Sequence, residues 1–436
     1  MKYGVALAGF CVMCMMAVSF SGCLGSNSEK PITPTPYPTT VQTPEEVGHN
    51  ISAEGNVVDA NNRFALNLYM NLRKDPQYSK STLFFSPFSI SSALAITYEG
   101  ARGGTADEIQ SVFFFPRDND TRRQGFEQLY RDINQGNSGY ILKTADALWA
   151  EETYPFLPAY MHTAQLYYNA NATNLDFKNQ PENSRLIINN WVENQTNDKI
   201  KDLIPPGVID PFTRLVITNA VYFKGTWVKQ FDPNETKDDT FLVAPGNTVH
   251  IQMMERTDKD AIFNYTETDS LQVLEMPYAK DSGKQISMLV LLPKANNLTA
   301  VEDSLTVLNL SEMRNALKSQ RVNVFFPKFK LETKYSLSTT LTSMGMPTAF
   351  TDKADFSGMD GTKNLYIGDV IHQAFVEVNE EGTEAAAATG VVMEVMAVRQ
   401  EPPVPVFDAN HPFVFLIQDN DTGNILFMGQ VLDPNG

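Results

Sequence analysis

Cysteine is almost absent: Cys11, Cys14 and Cys23 are the only three, all within the first 23 of 436 residues. The remainder of the chain can form no disulfide, so packing alone must hold it together. Cys11-x-x-Cys14 has the spacing of a zinc or redox pair, but it sits inside an apolar leader, which excludes that use. The five histidines, at 49, 162, 250, 372 and 411, are too scattered for a histidine-built metal site. Basic residues are also short, 34 Lys and Arg against 51 Asp and Glu, for a net charge of −17. That balance excludes a nucleic-acid partner, which needs clustered cations. HExxH, a P-loop, a GxGxxG after a strand and a GxSxG elbow are all missing. Nothing in the chain asks for a cofactor or a metal.

What is present begins with a leader. Lys2, an apolar run from Val5 to Phe20 and then Ser21-Gly22-Cys23 describe an export signal. Small residues directly before Cys23 resemble a prokaryotic-type lipobox, so residues 1–22 are expected to be a signal peptide and Cys23 to carry a lipid. A plain signal peptide or an uncleaved anchor is the alternative, the run being near the lower limit for a span. Residues 23–52 are rich in Ser, Pro and Thr and read as an extended linker. Nine Asn-x-Ser/Thr sequons, at Asn50, Asn119, Asn171, Asn194, Asn234, Asn264, Asn297, Asn309 and Asn420, fit an exported glycoprotein, with only some expected to be modified.

From residue 53 there is no repeat and no second linker. With 42% hydrophobic residues the chain can bury a core. Phe64, Ala65, Leu68, Tyr69 and Leu72 recur at helical spacing within 57–74. A short apolar helix is expected over 89–98, stopping near Gly100. Thr105-x-x-Glu108 predicts a capping box opening another, and Ile187, Ile188, Trp191 and Val192 mark a helix over 183–197. The stretch 214–227 (RLVITNAVYFKGTW) reads as a buried central strand. Further strands are expected over 285–292, 322–331, 374–378, 412–417 and 424–431, with Asp421-Thr422-Gly423 as the turn between the last two. Helices dominate the first half and strands the second, so the class is α+β.

One segment fits no static element. Residues 380–405 read EEGTEAAAATGVVMEVMAVRQEPPVP. A helix capped by Thr383, with the four alanines as its body, would be short and marginal. As a strand, the odd-numbered side chains from Thr383 to Val395 are all uncharged, while Glu384 and Glu394 share the other face. The first proline is Pro402, after the stretch that would pair.

At this point the sequence resembles the serpin family. FFSPFSISSALAITYEGARGGTADEI (84–109), TNAVYFKGTWVKQFDP (218–233), FVEVNEEGTEAAAAT (375–389) and HPFVFLIQDNDTGNILFMGQVLDP (411–434) match its motifs in order, and the likeness spans 53–436. The resemblance implies N-terminal helices on a large central mixed β-sheet with smaller sheets, and an exposed reactive-centre loop at about 380–405. It implies suicide-substrate inhibition of an extracellular serine or cysteine protease: the loop is cut, an acyl-enzyme forms, and the freed loop inserts into the main sheet. It gives Gly382, Thr383, Glu384, Ala385, Ala386, Ala387 and Ala388 as the hinge. Trp227, Lys328 and Glu380 match the top of the sheet where insertion starts. Ser86, Ser89, Asn219 and His372 match the polar cluster beneath it. Counting along the loop places the cut bond at Met396-Ala397, with Arg399 the alternative. Cutting at Met396 leaves a tether of about 53 Å from Glu380, at about 3.3 Å per residue. Met396 suits elastase-, chymotrypsin- or subtilisin-like enzymes, whereas Arg399 suits a trypsin-like one. The expected product is an exported, membrane-tethered monomer that is itself no enzyme. A non-inhibitory member acting as a binding or structural protein is the alternative, against which the small-residue hinge speaks.

Overall fold

The computed structural model describes residues 55–133, 139–383 and 403–436, less the side chains of residues 143–146, 171, 172, 219, 220 and 222. Cys23, the leader, the linker, Glu384 to Ala388, Met396, Ala397 and Arg399, for which the sequence sets expectations, lie outside the described residues. In chain order the elements are α1 (Val57–Leu72), β1 (Leu83–Phe85), α2 (Pro87–Gly100), α3 (Gly103–Phe113), α4 (Asn119–Ile133), β2 (Tyr140–Glu151), α5 (Pro158–Tyr168), β3 (Asn171–Leu175) and α6 (Pro181–Gln195). Then come β4 (Leu215–Thr226), β5 (Lys237–Ala244), β6 (Asn247–Arg256), β7 (Ile262–Glu267), β8 (Leu271–Pro277), β9 (Ile286–Pro293), α7 (Leu298–Asp303), α8 (Val307–Ala316), β10 (Lys318–Arg321), β11 (Asn323–Pro327) and β12 (Phe329–Ser336). The chain closes with α9 (Ser338–Met344), α10 (Ser357–Asp360), β13 (Ile371–Val378), β14 (Gly382–Thr383), β15 (Val406–Asp408), β16 (Phe413–Asp419) and β17 (Ile425–Val431).

The class is α+β. A seven-stranded sheet runs β1-β17-β16-β9-β8-β7-β10, and a four-stranded one runs β15-β11-β6-β5. A third region bears on function. It comprises β14-β4-β2-β3, mixed because β2 pairs parallel to β3 and antiparallel to β4, and the antiparallel pair β12-β13. Among the described residues no ladder joins β4 to β13.

Helix α1 buries the face its spacing predicts, with Phe64, Ala65, Leu68, Tyr69 and Leu72 inside. Helix α2 is buried nearly all round, with Pro87 in its first turn and Ser86 as its N-cap. It lies between β17 and the divided sheet.

Two sequence expectations are corrected. Thr105 and Glu108 do not form a capping box: α3 begins at Gly103, so Thr105 is already inside it. Their side chains instead fix distant loops, Thr105 Oγ1 accepting from the Asp355 amide and Glu108 from that of Thr348. The single strand expected over 322–331 is two, β11 and β12, which belong to different sheets. The chain changes sheet after Lys328, whose amide still donates to Gln252 O of β6 at 2.9 Å before Phe329 opens β12.

Candidate functional site

The upper end of the divided sheet is built around a tight reversal. After β13, Asn379 and Gly382 exchange backbone hydrogen bonds of 2.9 and 3.2 Å, leaving Glu380 and Glu381 as a two-residue tip. Asn379 Oδ1 also accepts from the amides of Glu381 and Gly382. Gly382 has φ +149°, and a Cβ there would stand 2.0 Å from the carbonyl oxygen of Gly225. Glycine is therefore what lets the chain fold back against β4. There Gly382 lies opposite Thr226 and Thr383 opposite Gly225. Thr383 thus lies in the two-residue strand β14, paired with β4.

Trp227 clamps this reversal. Its amide donates to Glu381 O at 2.8 Å and its indole nitrogen to Asn379 O at 3.1 Å. Its ring stacks on Tyr278 at 4.4 Å. Tyr278 is fully buried, burial drives its phenol far above its ordinary pKa, and its hydroxyl lies 3.0 Å from Thr383 Oγ1. Lys328 and Glu380 form an ion pair at 2.9 Å, and Thr236 donates to the same carboxylate at 2.8 Å. Burial pushes the Glu380 carboxyl up, but Lys328 and the hydrogen bonds outweigh it and hold it below the ordinary range. A cavity of about 420 Å³, floored by Phe329 and Val378, opens beside this pair.

The second cluster lies where α2 starts. Ser86 Oγ donates to Leu426 O at 2.7 Å and accepts from the Ser89 amide at 3.1 Å. The Ser86 amide donates to His372 Nε2 at 3.0 Å. The first turn of α2, strand β17 and the start of β13 are thereby tied together. Asn219 sits opposite Asp146 in the β2–β4 ladder, and its side chain is outside the description. A cavity of about 860 Å³ separates the beginnings of β4 and β13 here, with Ser89, Ile90 and Ala93 of α2 and Val216, Thr218 and His372 among its walls.

His372 is buried, and burial alone drives its imidazole down to about 3. The folded ring is therefore neutral, with Nε2 as acceptor. Below about pH 6.5 the unfolded chain takes up a proton that the folded chain refuses until about pH 3. Stability should thus fall by up to about 1.4 kcal/mol per pH unit as pH drops through that window. A His372→Asn variant keeps an acceptor for Ser86 but removes this slope. Denaturant unfolding at pH 7 and pH 4 checks it, and equal pH sensitivity of the two proteins would contradict the assignment.

The structure thus brings Trp227, Lys328, Glu380, Gly382 and Thr383 together at one end, and Ser86, Ser89 and His372 at the other. Sequence reasoning missed Tyr278, Thr236 and Asn379. Tyr278 and Thr236 act across 105 and 144 residues, and no local pattern signals such contacts. Beyond residues 384–402, Pro405 O accepts from the Asn323 amide, and β15 pairs in parallel with β11. Residues 384–402 therefore connect two fixed points, the edge of β4 and the edge of β11.

A family model described as Serpin (serine protease inhibitor) matches residues 59–434. An uncharacterized serpin-like protein of Methanosarcina mazei is 41% identical, covering 97% of this chain and 96% of its own. The leukocyte elastase inhibitor of Bos taurus is 41% identical over 86% of this chain and 98% of its own. Among solved structures, the loop-inserted form of a cleaved ovalbumin mutant superposes with TM-score 0.78 at 29% identity, covering 87% of this chain and all of that one.

Proposed function

Since the chain belongs to the serpin family, we propose that it inhibits extracellular serine proteases by offering residues 384–402 as bait and inserting them once they are cut. The observation that carries this reading is the pairing of Gly382 and Thr383 with β4, at the mouth of the opening between β4 and β13. The first two residues of the hinge already occupy the place of an added strand. Loop insertion in the ovalbumin relative supports the same motion here.

The protease serine oxygen attacks the Met396 carbonyl carbon, and the Met396–Ala397 C–N bond breaks. Ala397 leaves as an amine carrying a proton, and Met396 becomes an ester on the protease. The cut removes the constraint that β15 places on the far end of the loop. The hinge then extends from Thr383 between β4 and β13, drawing the esterified protease with it. Each residue added gains backbone hydrogen bonds worth about 1 kcal/mol net, so insertion of a dozen residues supplies on the order of 10 kcal/mol. Active-site geometry fails with displacements of about 1 Å, so the ester outlives the pull.

Lys328, Glu380 and Trp227 hold the reversal from which insertion starts, and the Ser86–His372 cluster holds the lower sheet until the strand arrives. The target is an enzyme with an apolar primary pocket, set by Met396. Export and lipid attachment at Cys23, with a monomeric domain on the 23–52 spacer, complete the proposal. Incubation with elastase-, chymotrypsin- and subtilisin-type proteases should give a band of summed mass that survives denaturing electrophoresis. Clean cleavage with no such band from any of them would refute inhibition and favour a non-inhibitory binding protein.

A further inference from the structure

The larger cavity is more than a gap between two strands. Its volume of about 860 Å³ falls in the range of sites that enclose a small organic ligand. Ala93 of α2, Leu215, Val216 and Ile217 of β4, Ile367, and Ile371 of β13 line it, and each is only half-buried. Apolar side chains at interior helix and strand positions are ordinarily close-packed. Here the described residues leave them a shared, uncovered apolar wall.

The rim is apolar as well. Val208 is 46%, Phe212 80% and Tyr366 59% exposed, and all three line the same cavity. Phe212 is held outward by its own turn. The Asp210 carboxylate accepts from the Phe212 amide at 2.9 Å and from the Thr213 hydroxyl at 3.1 Å, and the Thr213 amide donates to Asp210 O at 3.0 Å. Two aromatic side chains fixed in water beside an open apolar space mark a binding mouth.

Among the described residues, Arg214 is the one permanent cation that lines this space. Its guanidinium lies 5.6 Å from the Tyr154 ring, and its Nη1 donates to the carbonyls of Pro211 and Thr213. It has no carboxylate partner among the described residues, and there its Nε and Nη2 donate to no acceptor. That edge of a guanidinium is a pair of parallel donors, which a carboxylate engages with both oxygens. The two acids that line the cavity are already engaged. Asp210 serves its turn, and Asp369 accepts from the Ser336 hydroxyl at 2.8 and 3.0 Å and from the Val370 amide at 2.8 Å. His372 in the wall is neutral.

We propose that this cavity binds a free long-chain carboxylate, its apolar body against the uncovered wall and its anionic end on Arg214. Calorimetric titration of the uncut full-length protein with decanoate, decanol and decyltrimethylammonium tests it. Decanoate should saturate a single site and bind about 10-fold or more tighter than decanol, the effect of a hydrogen-bonded charge. Arg214→Gln should weaken decanoate by about the same factor and leave decanol unchanged, and Arg214→Lys should keep part of the difference. Ala93→Phe, which fills the space from α2, should weaken decanoate and decanol alike. Decanoate bound no tighter than decanol, undiminished decanoate binding by Arg214→Gln, tighter binding of the ammonium, or no saturable binding at all would each overturn the proposal. Binding is read before any cut, so such a failure leaves the inhibitory reading standing.

Discussion

Thr383→Arg should turn the protein from a trap into a plain substrate. Thr383 is 1% exposed, faces the core and shares a 3.0 Å hydrogen bond with Tyr278. Directly opposite is Gly225, at which even a Cβ would lie 2.6 Å from the Tyr278 ring. No room exists for a longer side chain, and among the described residues no carboxylate is hydrogen-bonded to Thr383 to neutralise one. An arginine must carry an unpaired guanidinium into this site for the next residue to enter, at a cost of about 3 kcal/mol or more. The partition between trapping and release should then shift toward release by about two orders of magnitude. The proposed cut bond, Met396–Ala397, is well separated in sequence from this position, so cleavage itself should proceed at the wild-type rate. Denaturing electrophoresis against a protease that wild type captures gives the answer. Near-stoichiometric cleavage without the covalent band is expected, and undiminished capture would contradict insertion through this point. Thr383→Ser, which keeps the hydroxyl and the size, should still capture.

How far such a site is legible in a sequence depends on how local its causes are. Strand β4 and helices α1 and α2 were legible because burial on one or all sides leaves an apolar pattern that survives at every position. Strand β2 was not: Lys143, Thr144 and Asp146 interrupt YILKTADALWAE, and pairing on both edges, to β3 and β4, is what makes it a strand. Strand β5 opens with KDDT, four exposed residues that read as loop. Thr105 and Glu108 show the opposite error, a local cap pattern overridden by distant loops that needed the same side chains. Within the site, Gly382, Thr383 and Glu380 were legible through the order of their motif. Tyr278 was not, because its role consists in supporting Trp227 from one side and Thr383 from another. The break at Lys328 was likewise hidden, since its cause is a change of sheet. The same break places its ammonium against Glu380.

The division of the sheet ties these features to energy. In the uncut protein β4 and β13 share no ladder among the described residues, and a cavity of about 860 Å³ lies between their beginnings. The edges of both strands thus hold backbone groups that an added strand would satisfy, and the odd-numbered side chains after Thr383 are small or apolar enough to fill the space behind it. On the proposed mechanism the uncut fold is the less stable arrangement of the same residues, held there by the attachment of residue 403 onward at β11 and β15. Cutting anywhere between Met396 and Pro402 releases that attachment without removing a single contact of the described fold.

Thermal and guanidinium unfolding of the protein before and after a single cut in that segment, with both fragments retained, is the most direct test. A gain on the order of 10 kcal/mol corresponds to a rise of about 10 to 15 degrees in melting temperature and a midpoint higher by about a molar or more of guanidinium. If the nicked molecule instead melts where the intact one does, no energy is stored between β4 and β13.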